Sequence, residues 1–215
     1  MTARGPARWL FDAWSTFYDQ PAIQRLTYRP VQDAVVAALQ PLRPRCVLDL
    51  GCGTGLLTAR LRGAFPATTV VGCDFSDGML RHAHAHEPGV PWVRGDALRL
   101  PFRDAAFDAI VSTEAFHWFP DQPLALAEMR RVLVPGGHAL IAIVNTPHET
   151  VRTLVRAASR TFGQPFDWPT SRQMRVLFEA AGLHVAAQRR VYRLPAGILL
   201  PPVLTIGTRP ATPRD

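Results

Sequence analysis

Lysine is absent from the 215-residue sequence, so all 24 of its basic side chains are arginines. They outnumber the 17 acidic side chains and give a formal net charge of +7, which raises the question of a nucleic-acid partner. The arginines are spread as small groups, such as Arg43/Arg45 and Arg130/Arg131, and form no continuous basic run. This scatter argues against a nucleic acid as the partner. The sequence leaves the oligomeric state open.

Long apolar runs are also missing. No stretch approaches the roughly 18 apolar residues that cross a bilayer, so we expect no membrane span. Residues 1–14 lack the apolar segment of a signal peptide. The three cysteines, Cys46, Cys52 and Cys73, are odd in number and lack metal-binding spacing. We therefore expect a reduced, cytoplasmic protein.

Short apolar runs alternate with amphipathic stretches, which is typical of βα units around a mostly parallel sheet. Strands are predicted at 45–50, 68–74, 91–96, 107–113 and 138–145. Two closing strands are predicted within 183–194 and 202–209, and their link is too short for a helical crossover, so they should pair antiparallel. Helical spacing of apolar residues recurs in 31–39, 125–133, 151–158 and 174–181, with Gly182 at a helix end.

A glycine-rich loop follows the first strand in "VLDLGCGTG", residues 47–55. Gly51, Gly53 and Gly55 allow a ligand to approach the backbone and permit φ values that other residues avoid. The following helix offers free N–H groups at its start. The dinucleotide fingerprint G-x-G-x-x-G requires glycine where this chain has Leu56, so the spacing is a poor match to a pyrophosphate.

Acidic residues close the next two predicted strands. Asp74 ends the second strand, where a carboxylate can accept hydrogen bonds from both hydroxyls of a ribose, a group shared by NAD and other nucleosides. Asp96 closes the third strand, where it can accept from the exocyclic amino group of adenine. The loop and the two acids together indicate a site for a nucleoside cofactor.

These motifs resemble the class I S-adenosylmethionine-dependent methyltransferases, and specifically the small-molecule branch similar to ubiquinone/menaquinone-type (methyltransferase type 11) enzymes. The matching pieces are "VLDLGCGTG", "VVGCDFSDGML", "GDALRLPF", "FDAIVSTEAFHWF" and "RVLVPGGHALIAI". The resemblance implies an α/β fold with a Rossmann-like seven-stranded sheet in the order 3-2-1-4-5-7-6, strand 7 antiparallel and helices on both faces. We expect a single domain over 1–215, comprising an N-terminal helical lid (1–40), a cofactor-binding core (45–145), and C-terminal helices with the closing strands (146–215).

The same resemblance implies roles for individual residues in binding S-adenosylmethionine and its product S-adenosylhomocysteine. Asp49 and the loop from Gly51 through Gly53 to Gly55 would hold the methionine part, and Asp74 the ribose. Phe75 and Met79 would line the adenine, Asp96 and the backbone of Ala97 would contact its edge, and Glu114 would belong to the cofactor pocket. Capping for Asp49 and core packing for Met79 are the structural alternatives.

His117 is the candidate catalytic residue. Methyl transfer from a sulfonium needs mainly alignment of the reacting atoms, and a base is needed only when the acceptor carries a proton at attack. A histidine with an unperturbed pKa near 6.5 suits that role. The alternative, which we weigh more heavily, is that His117 and Trp118 shape the pocket wall or bind the substrate.

Further acceptor-binding candidates come from the N-terminal segment and from the end of the fifth strand. Trp14, Tyr18 and Tyr28 are expected to cover the methionine end of the cofactor and the acceptor, and ring faces favour a sulfonium; docking of the first helix on the core is the alternative. His148 is a second candidate beside the acceptor.

No metal site is expected. In "RHAHAHE", residues 81–87, His82 and His86 share a helix face without an evident third ligand, so a solvated face is the better interpretation. The catechol-type enzymes of the superfamily bind Mg²⁺ with acids at the end of strand four, where this chain has Ser112 and Thr113.

The leading functional hypothesis is methyl transfer to an O, N or C nucleophile of a small apolar or aromatic metabolite. A nucleic-acid (RNA) methyltransferase is a second hypothesis, although "STEAF" departs from the [DNS]-P-P-[YFW] motif of exocyclic-amine enzymes. A catalytically silent cofactor-binding partner protein is a third.

Overall fold

The structure is a computed structural model that describes residues 28–161, 166–191 and 202–211. Its seven strands are β1 (Cys46–Leu50), β2 (Thr69–Asp74), β3 (Trp92–Arg94), β4 (Phe107–Thr113), β5 (Leu133–Val144), β6 (His184–Arg190) and β7 (Pro202–Thr208). Its α-helices within these ranges are α1 (Arg29–Leu39), α2 (Leu56–Ala64), α3 (Asp77–His86), α4 (Gln122–Val132), α5 (Glu149–Thr161) and α6 (Ser171–Ala180). A 3₁₀ turn, Phe116–Trp118, follows β4.

All seven strands form one sheet in the order β3-β2-β1-β4-β5-β7-β6. Strands β1 to β5 pair in parallel, and β7 runs antiparallel to both β5 and β6. The predicted strand order and the antiparallel seventh strand are therefore confirmed. The carboxyl ends of β1, β2, β4 and β5 share one edge of this sheet, which is where ligands bind in open α/β folds.

Helices cover both faces because the strands are apolar at successive positions. In β1, Val47 packs with Val35 and Leu61 from α1 and α2, whereas Leu48 belongs to the cluster that contains Met129 of α4. Successive strand residues point to opposite faces, so a strand buried on both sides reads as a continuous apolar run. The core consequently lies in two layers, one on each side of the sheet.

The predicted helix and strand ends need three adjustments. The stripe predicted to be helical through Leu133 stops at Val132, because Leu133 has an extended backbone and pairs with Phe107. Strand β5 therefore begins five residues before the predicted start at 138. Strand β3 ends at Arg94, before Asp96. At the end of α6, Gly182 has φ +74°, as its predicted place at a helix end requires.

Helix α1 belongs to the layered core. Val31, Val35 and Leu39 are almost fully buried and pack with residues of the sheet. This helix occupies the C-terminal part of the predicted lid (1–40), and residues 1–27 lie outside the described part of the chain. In the described ranges, no helix is both long and apolar enough to cross a membrane.

Candidate active site

The glycine loop connects β1 to α2 at the carboxyl edge of the sheet. Gly51, Gly53 and Gly55 have φ values of +71°, +54° and +83°, a region that L side chains rarely adopt. The sequence prediction that these positions need glycine is met by their backbone conformation. Gly55 also forms the N-terminal cap of α2.

The three glycines differ in what surrounds them. A Cβ on Gly53 would have no described atom within 4 Å, so the loop is open at its centre. A Cβ on Gly51 would lie 2.5 Å from the Cβ of Ala115, and one on Gly55 would lie 2.5 Å from the Trp92 ring. The loop is thus packed at both ends and accessible in the middle, which is the arrangement a ligand contacting backbone requires.

Asp74 holds this loop in place. Its Oδ2 accepts a hydrogen bond from the Gly53 amide at 2.9 Å, and its Oδ1 accepts one from the Ser76 amide at 2.9 Å. Burial raises the pKa of Asp74, and hydrogen bonds from the amides of Ser76, Gly53 and Phe75 offset part of that rise. A carboxylate offers about four lone-pair positions, so these bonds leave acceptor capacity for a ligand.

Asp49 is buried at the end of β1, beside the loop. Its Oδ2 accepts a hydrogen bond from the Thr58 hydroxyl at 2.6 Å, which connects β1 to α2. Burial raises the pKa of Asp49 to about 7, and the negative charge of Asp74 adds to the rise. The site therefore contains two buried carboxylates on adjacent strands, an arrangement that favours a cationic ligand group nearby.

The first turn of α3 lies after Asp74. Ser76 caps the helix by accepting a hydrogen bond from the amide of Met79 at 3.2 Å. Met79 is 6% exposed and Phe75 is half-buried. The sequence analysis passed over Ser76, although a serine three residues before Met79 is a common helix-start signal.

Asp96 lies in a turn beyond β3. Its Oδ1 accepts from the amide of Leu98 at 2.9 Å, and its side chain is exposed. Ala97, the next residue, is buried at 9% exposure. The Gly95 amide donates to the carbonyl of Asp74 at 3.0 Å, so this turn is connected to the end of β2.

Glu114 begins the loop after β4 with a φ of +53°, which is uncommon for a residue other than glycine. Its amide donates to the carbonyl of Ala142 in β5 at 2.9 Å, so pairing with the neighbouring strand fixes this conformation. Strained backbone of this kind concentrates at functional sites. The loop also touches the glycine loop through Ala115 and Gly51.

His117 lies in an aromatic cluster formed by His117, Trp118, Phe166 and Trp168. Its ring centroid is 5.0 Å from that of Trp118 and 5.8 Å from that of Trp168. The histidine is 6% exposed, and burial lowers its pKa to about 3. It is therefore neutral at physiological pH, and its affinity for a proton is low.

Residues 166–169 are held against the sheet edge by three side chains from two other segments. Nδ2 of Asn145 donates to the Pro169 carbonyl at 2.6 Å, and the Thr146 hydroxyl donates to the Trp168 carbonyl at 2.9 Å. Arg152 forms a two-pronged ion pair with Asp167. The sequence analysis did not identify these contacts, because they join residues far apart in the chain. The sequence offered one local sign of a functional segment here, the aromatic and proline-containing stretch "PFDWPT".

The structure gives less information on the other residues that were predicted to contact the methyl acceptor. Trp14 and Tyr18 lie outside the described residues, and Tyr28 is half-buried at the start of α1. His148 is exposed before α5. In the portion of the chain that the structure describes, no three His, Cys, Asp or Glu side chains are grouped as metal ligands.

The fold and this edge define a class: Rossmann-like α/β proteins with a glycine loop after β1 and an acid after β2. Residues 48–141 match the sequence model of the family described as methyltransferase domain. An uncharacterized methyltransferase of Mycobacterium tuberculosis is 34% identical over 165 residues, which cover 70% of this chain and 81% of that protein. The chain belongs to this family, the S-adenosylmethionine-dependent methyltransferases.

Two other similar proteins match a shorter part of this chain. A demethylmenaquinone methyltransferase of Thermus thermophilus is 43% identical over 102 residues, covering 46% of each chain. A trans-aconitate 2-methyltransferase of Deinococcus radiodurans is 39% identical over 133 residues, covering 60% of this chain and 50% of that one. Among solved structures, a chain in the complex between the Haloferax volcanii Trm112 methyltransferase activator and a methyltransferase has a TM-score of 0.80. It is 26% identical, and the match covers 97% of this chain and 99% of that one.

Proposed function

We propose that this methyltransferase transfers the methyl group of S-adenosylmethionine to an O, N or C nucleophile of a small apolar or aromatic metabolite. The observation that carries the proposal is the arrangement around Asp74, whose carboxylate fixes an open glycine loop at the carboxyl edge of the sheet. Two relatives with defined acceptors in their names, demethylmenaquinone and trans-aconitate, also support a small-molecule acceptor. We place the reaction in the cytoplasm, since the three cysteines are unpaired.

The residues present fit the cofactor. Asp49 and the Gly51–Gly55 loop would hold its cationic methionine part, because the open backbone at Gly53 allows close approach and Asp49 is an unusually buried acid. Asp74 would accept from the ribose hydroxyls with its remaining lone pairs. The residues proposed to surround the adenine or complete the pocket are Phe75, Met79, Asp96, Ala97 and Glu114.

The protein would act mainly by alignment. The cofactor supplies an activated methyl group when bound, and the chain would hold the nucleophile in line with it and exclude water, effects worth up to about 7–11 kcal/mol. The wall beside the acceptor would be the aromatic cluster, with Tyr28 and, from outside the described residues, Trp14 and Tyr18 as further cover. His148 would lie at the rim, since its side chain is exposed.

His117 would contact the acceptor through a hydrogen bond. Because burial lowers its pKa to about 3, the ring is a weak base, and a pocket-wall or substrate-binding role is better supported than proton removal. General-base assistance by His117 stays a secondary proposal. It requires that the bound acceptor raise the affinity of the ring for a proton.

A second candidate is an activity that depends on a partner subunit. The solved complex of an activator with a methyltransferase, to which this fold is similar across nearly its whole length, favours it. In that case the isolated chain would bind the cofactor and transfer no methyl group.

The test is to incubate the purified protein with methyl-labelled S-adenosylmethionine and cell extract, and then to separate small molecules, protein and nucleic acid. Label in the organic-soluble fraction would support the main proposal. Label in RNA would replace it with the nucleic-acid alternative. Cofactor binding without label in any fraction would favour the partner-dependent or silent alternative, and absence of cofactor binding would overturn the proposal altogether.

A further inference from the structure

Strand β6 is an edge of the sheet, and its pairing leaves backbone groups open on the outer side. Among the described strands it pairs with β7 alone. The amide of Val191 donates to the Pro202 carbonyl at 2.8 Å, so these two residues form a hydrogen-bonded pair. Bonded and non-bonded pairs alternate along an antiparallel ladder, so Arg189 bonds toward β7. Gln188 and Arg190 consequently point their amides and carbonyls away from the sheet.

The regular part of this edge is the C-terminal half of β6. The pairing register shifts between Val185 and Ala187, and a bulge of this kind blunts an edge strand. From Ala187 to Arg190 the register is regular. Arg190 pairs with Val203, and Val203 pairs with Ile143 near the end of β5. The open backbone groups therefore lie toward the same end of the sheet as the candidate active site.

Exposed arginines surround this half of the strand. They are Arg172 and Arg175 of α6, and Arg189 and Arg190 of β6. Within the described part of the chain these four form no ion pair, whereas both exposed and half-buried arginines of α5 pair with Asp167. The exposed acid of α6, Glu179, lies at the far end of the helix. The surface beside the open edge therefore carries uncompensated positive charge.

Gln188 connects the strand to the helix and brings three of these arginines to one face. Its Nε2 donates to the Ser171 carbonyl at 2.8 Å, at the start of α6, and its Oε1 accepts from Arg175 at 3.4 Å. Arg190 is two residues along the strand and therefore lies on the same face as Gln188. Arg172 is three residues before Arg175, so the two share a face of α6. A strand added beside β6 would place every second side chain on this face.

The charge of this surface decides among the possible occupants. A second copy of the chain would bring identical arginines against each other, because a two-fold contact pairs the same surface of both copies. A nucleic acid would neutralise the charge, but its backbone has no amides or carbonyls that continue a β-ladder. A membrane would need apolar anchors beside the cations, and the large apolar side chain exposed on the described helix α6 is a single valine, Val176. An acidic, extended peptide segment satisfies both the charge and the open backbone groups.

We propose that the C-terminal half of β6 binds an acidic, extended segment of another protein, which adds a strand to the sheet. In antiparallel pairing, the more stable arrangement per residue, the residues opposite Gln188 and Arg190 exchange both backbone hydrogen bonds with them. Their side chains point to the α6 side, where acidic groups meet Arg172, Arg175 and Arg190. The inference concerns a partner and is independent of the proposed methyl-transfer reaction.

Three synthetic peptides separate charge from strand pairing. The first alternates glutamate with threonine and valine, the second has lysine in place of each glutamate, and the third carries an N-methyl group on each glutamate. Each is titrated into the ¹⁵N-labelled full chain, and amide hydrogen exchange is followed by NMR. The acidic peptide should slow exchange at Gln188 and Arg190 about tenfold when about nine-tenths of the protein is bound, because exchange then occurs from the free protein. The Arg189 amide, which already bonds toward β7, is the internal control.

The other two peptides define what would overturn the proposal. The lysine peptide should bind at least about tenfold more weakly than the acidic one, since it brings like charges together. The N-methylated peptide keeps the charge but has no donors for β6, so it should give no protection of Gln188 and Arg190. Equal binding of the acidic and lysine peptides, or no protection by the acidic peptide at saturation, would overturn the proposal.

A pair of double variants locates the charge. Arg172→Gln with Arg175→Gln should weaken binding of the acidic peptide about three- to tenfold. The matched control, Arg43→Gln with Arg81→Gln, removes the same charge from exposed positions elsewhere and should change the affinity less than about twofold. Equal effects of the two double variants would show general attraction and overturn the assigned surface.

The other occupants are tested on the same amides. Protection of Gln188 and Arg190 that rises with protein concentration, together with a dimer in sedimentation, would replace the proposed partner with a second copy. Tighter binding at this surface of an RNA oligonucleotide, or of vesicles containing anionic phospholipid, than of the acidic peptide would overturn the protein partner in favour of that ligand.

Discussion

The carboxylate of Asp74 accepts a hydrogen bond from the backbone amide of Gly53 at 2.9 Å. This bond connects the end of β2 to the open centre of the glycine loop. The other carboxylate oxygen binds the amide of Ser76, which precedes α3. One acidic side chain thus fixes two segments that the proposed cofactor would contact.

Replacing Asp74 by asparagine should disturb both segments. An amide must turn its NH₂ group toward either Gly53 or Ser76, and a donor then faces a donor. We expect the free energy of unfolding to fall by about 1–3 kcal/mol and S-adenosylmethionine to bind about tenfold more weakly or worse. Urea denaturation and titration calorimetry measure the two effects.

The matched control is Asp104→Asn. Asp104 also accepts a hydrogen bond, from Arg131, but its side chain is 77% exposed, so its loss should cost about 0–1 kcal/mol and leave cofactor affinity unchanged. Wild-type affinity in Asp74→Asn would contradict the role assigned to Asp74.

The raised pKa of Asp49 predicts a pH dependence of stability. Burial places this pKa at about 7, against 3.8 for an unburied aspartate, so the folded state holds the proton more tightly than the unfolded state. The contribution of Asp49 to stability is complete below about pH 4 and is lost as the pH rises through 7. Asp49→Asn, which keeps an acceptor for Thr58, should remove this decline. Urea denaturation at a series of pH values, comparing both proteins, would refute the prediction if the two curves were parallel.

The lowered pKa of His117 predicts the opposite dependence of stability on pH. Its pKa is about 3 in the folded state against 6.5 for an unburied histidine, so the unfolded state binds the proton more readily. Its contribution is complete above pH 6.5 and is lost as the pH falls toward 3. His117→Phe, which fits an aromatic environment, should lose less stability than wild type between pH 8 and pH 5. The exposed His82, replaced by phenylalanine, is the control and should retain the wild-type slope.

Gly72 lies against the indole of Trp92. A Cβ at this position would lie 2.2 Å from Cζ3 and 2.3 Å from Cε3 of the ring. Gly72→Ala should therefore lower the free energy of unfolding by about 1–3 kcal/mol through overpacking. Gly63→Ala is the control: no described atom lies within 4 Å of its added Cβ, and removing a helical glycine should raise stability by about 0.5–1 kcal/mol. Thermal or urea denaturation measures the free energy of unfolding of both variants. Equal effects of the two changes would show that the Trp92 contact does not constrain β2.

Much of the fold could be predicted because its determinants are local. The strand runs at Cys46–Leu50 and Phe107–Thr113 are mostly apolar, and the glycine loop predicts the turn between β1 and α2. The end of α4 was misplaced at Leu133 because this residue continues the apolar spacing of the helix. Its pairing with Phe107 involves a residue 26 positions away, and helical periodicity carries no information about that contact.

The candidate site was predictable only in part for the same reason. Asp49, Asp74 and the three loop glycines lie in one recognisable motif series. Trp168 contacts His117, and Asn145 bonds to the carbonyl of Pro169, across 24 or more positions of sequence, and no local pattern distinguishes them from ordinary core residues. The burial that lowers the pKa of His117 likewise depends on Phe166 and Trp168, so an unperturbed histidine was the only expectation available from the sequence.

The position of β7 between β5 and β6 has a consequence for synthesis on the ribosome. Residues 138–144 of β5 are translated well before their partners at 202–208, so this almost fully buried strand exposes an unpaired edge in the meantime. Open apolar edges of this kind attract other chains and chaperones. A nascent chain stalled before residue 202 should therefore be captured by chaperones, and release should require only the final strand.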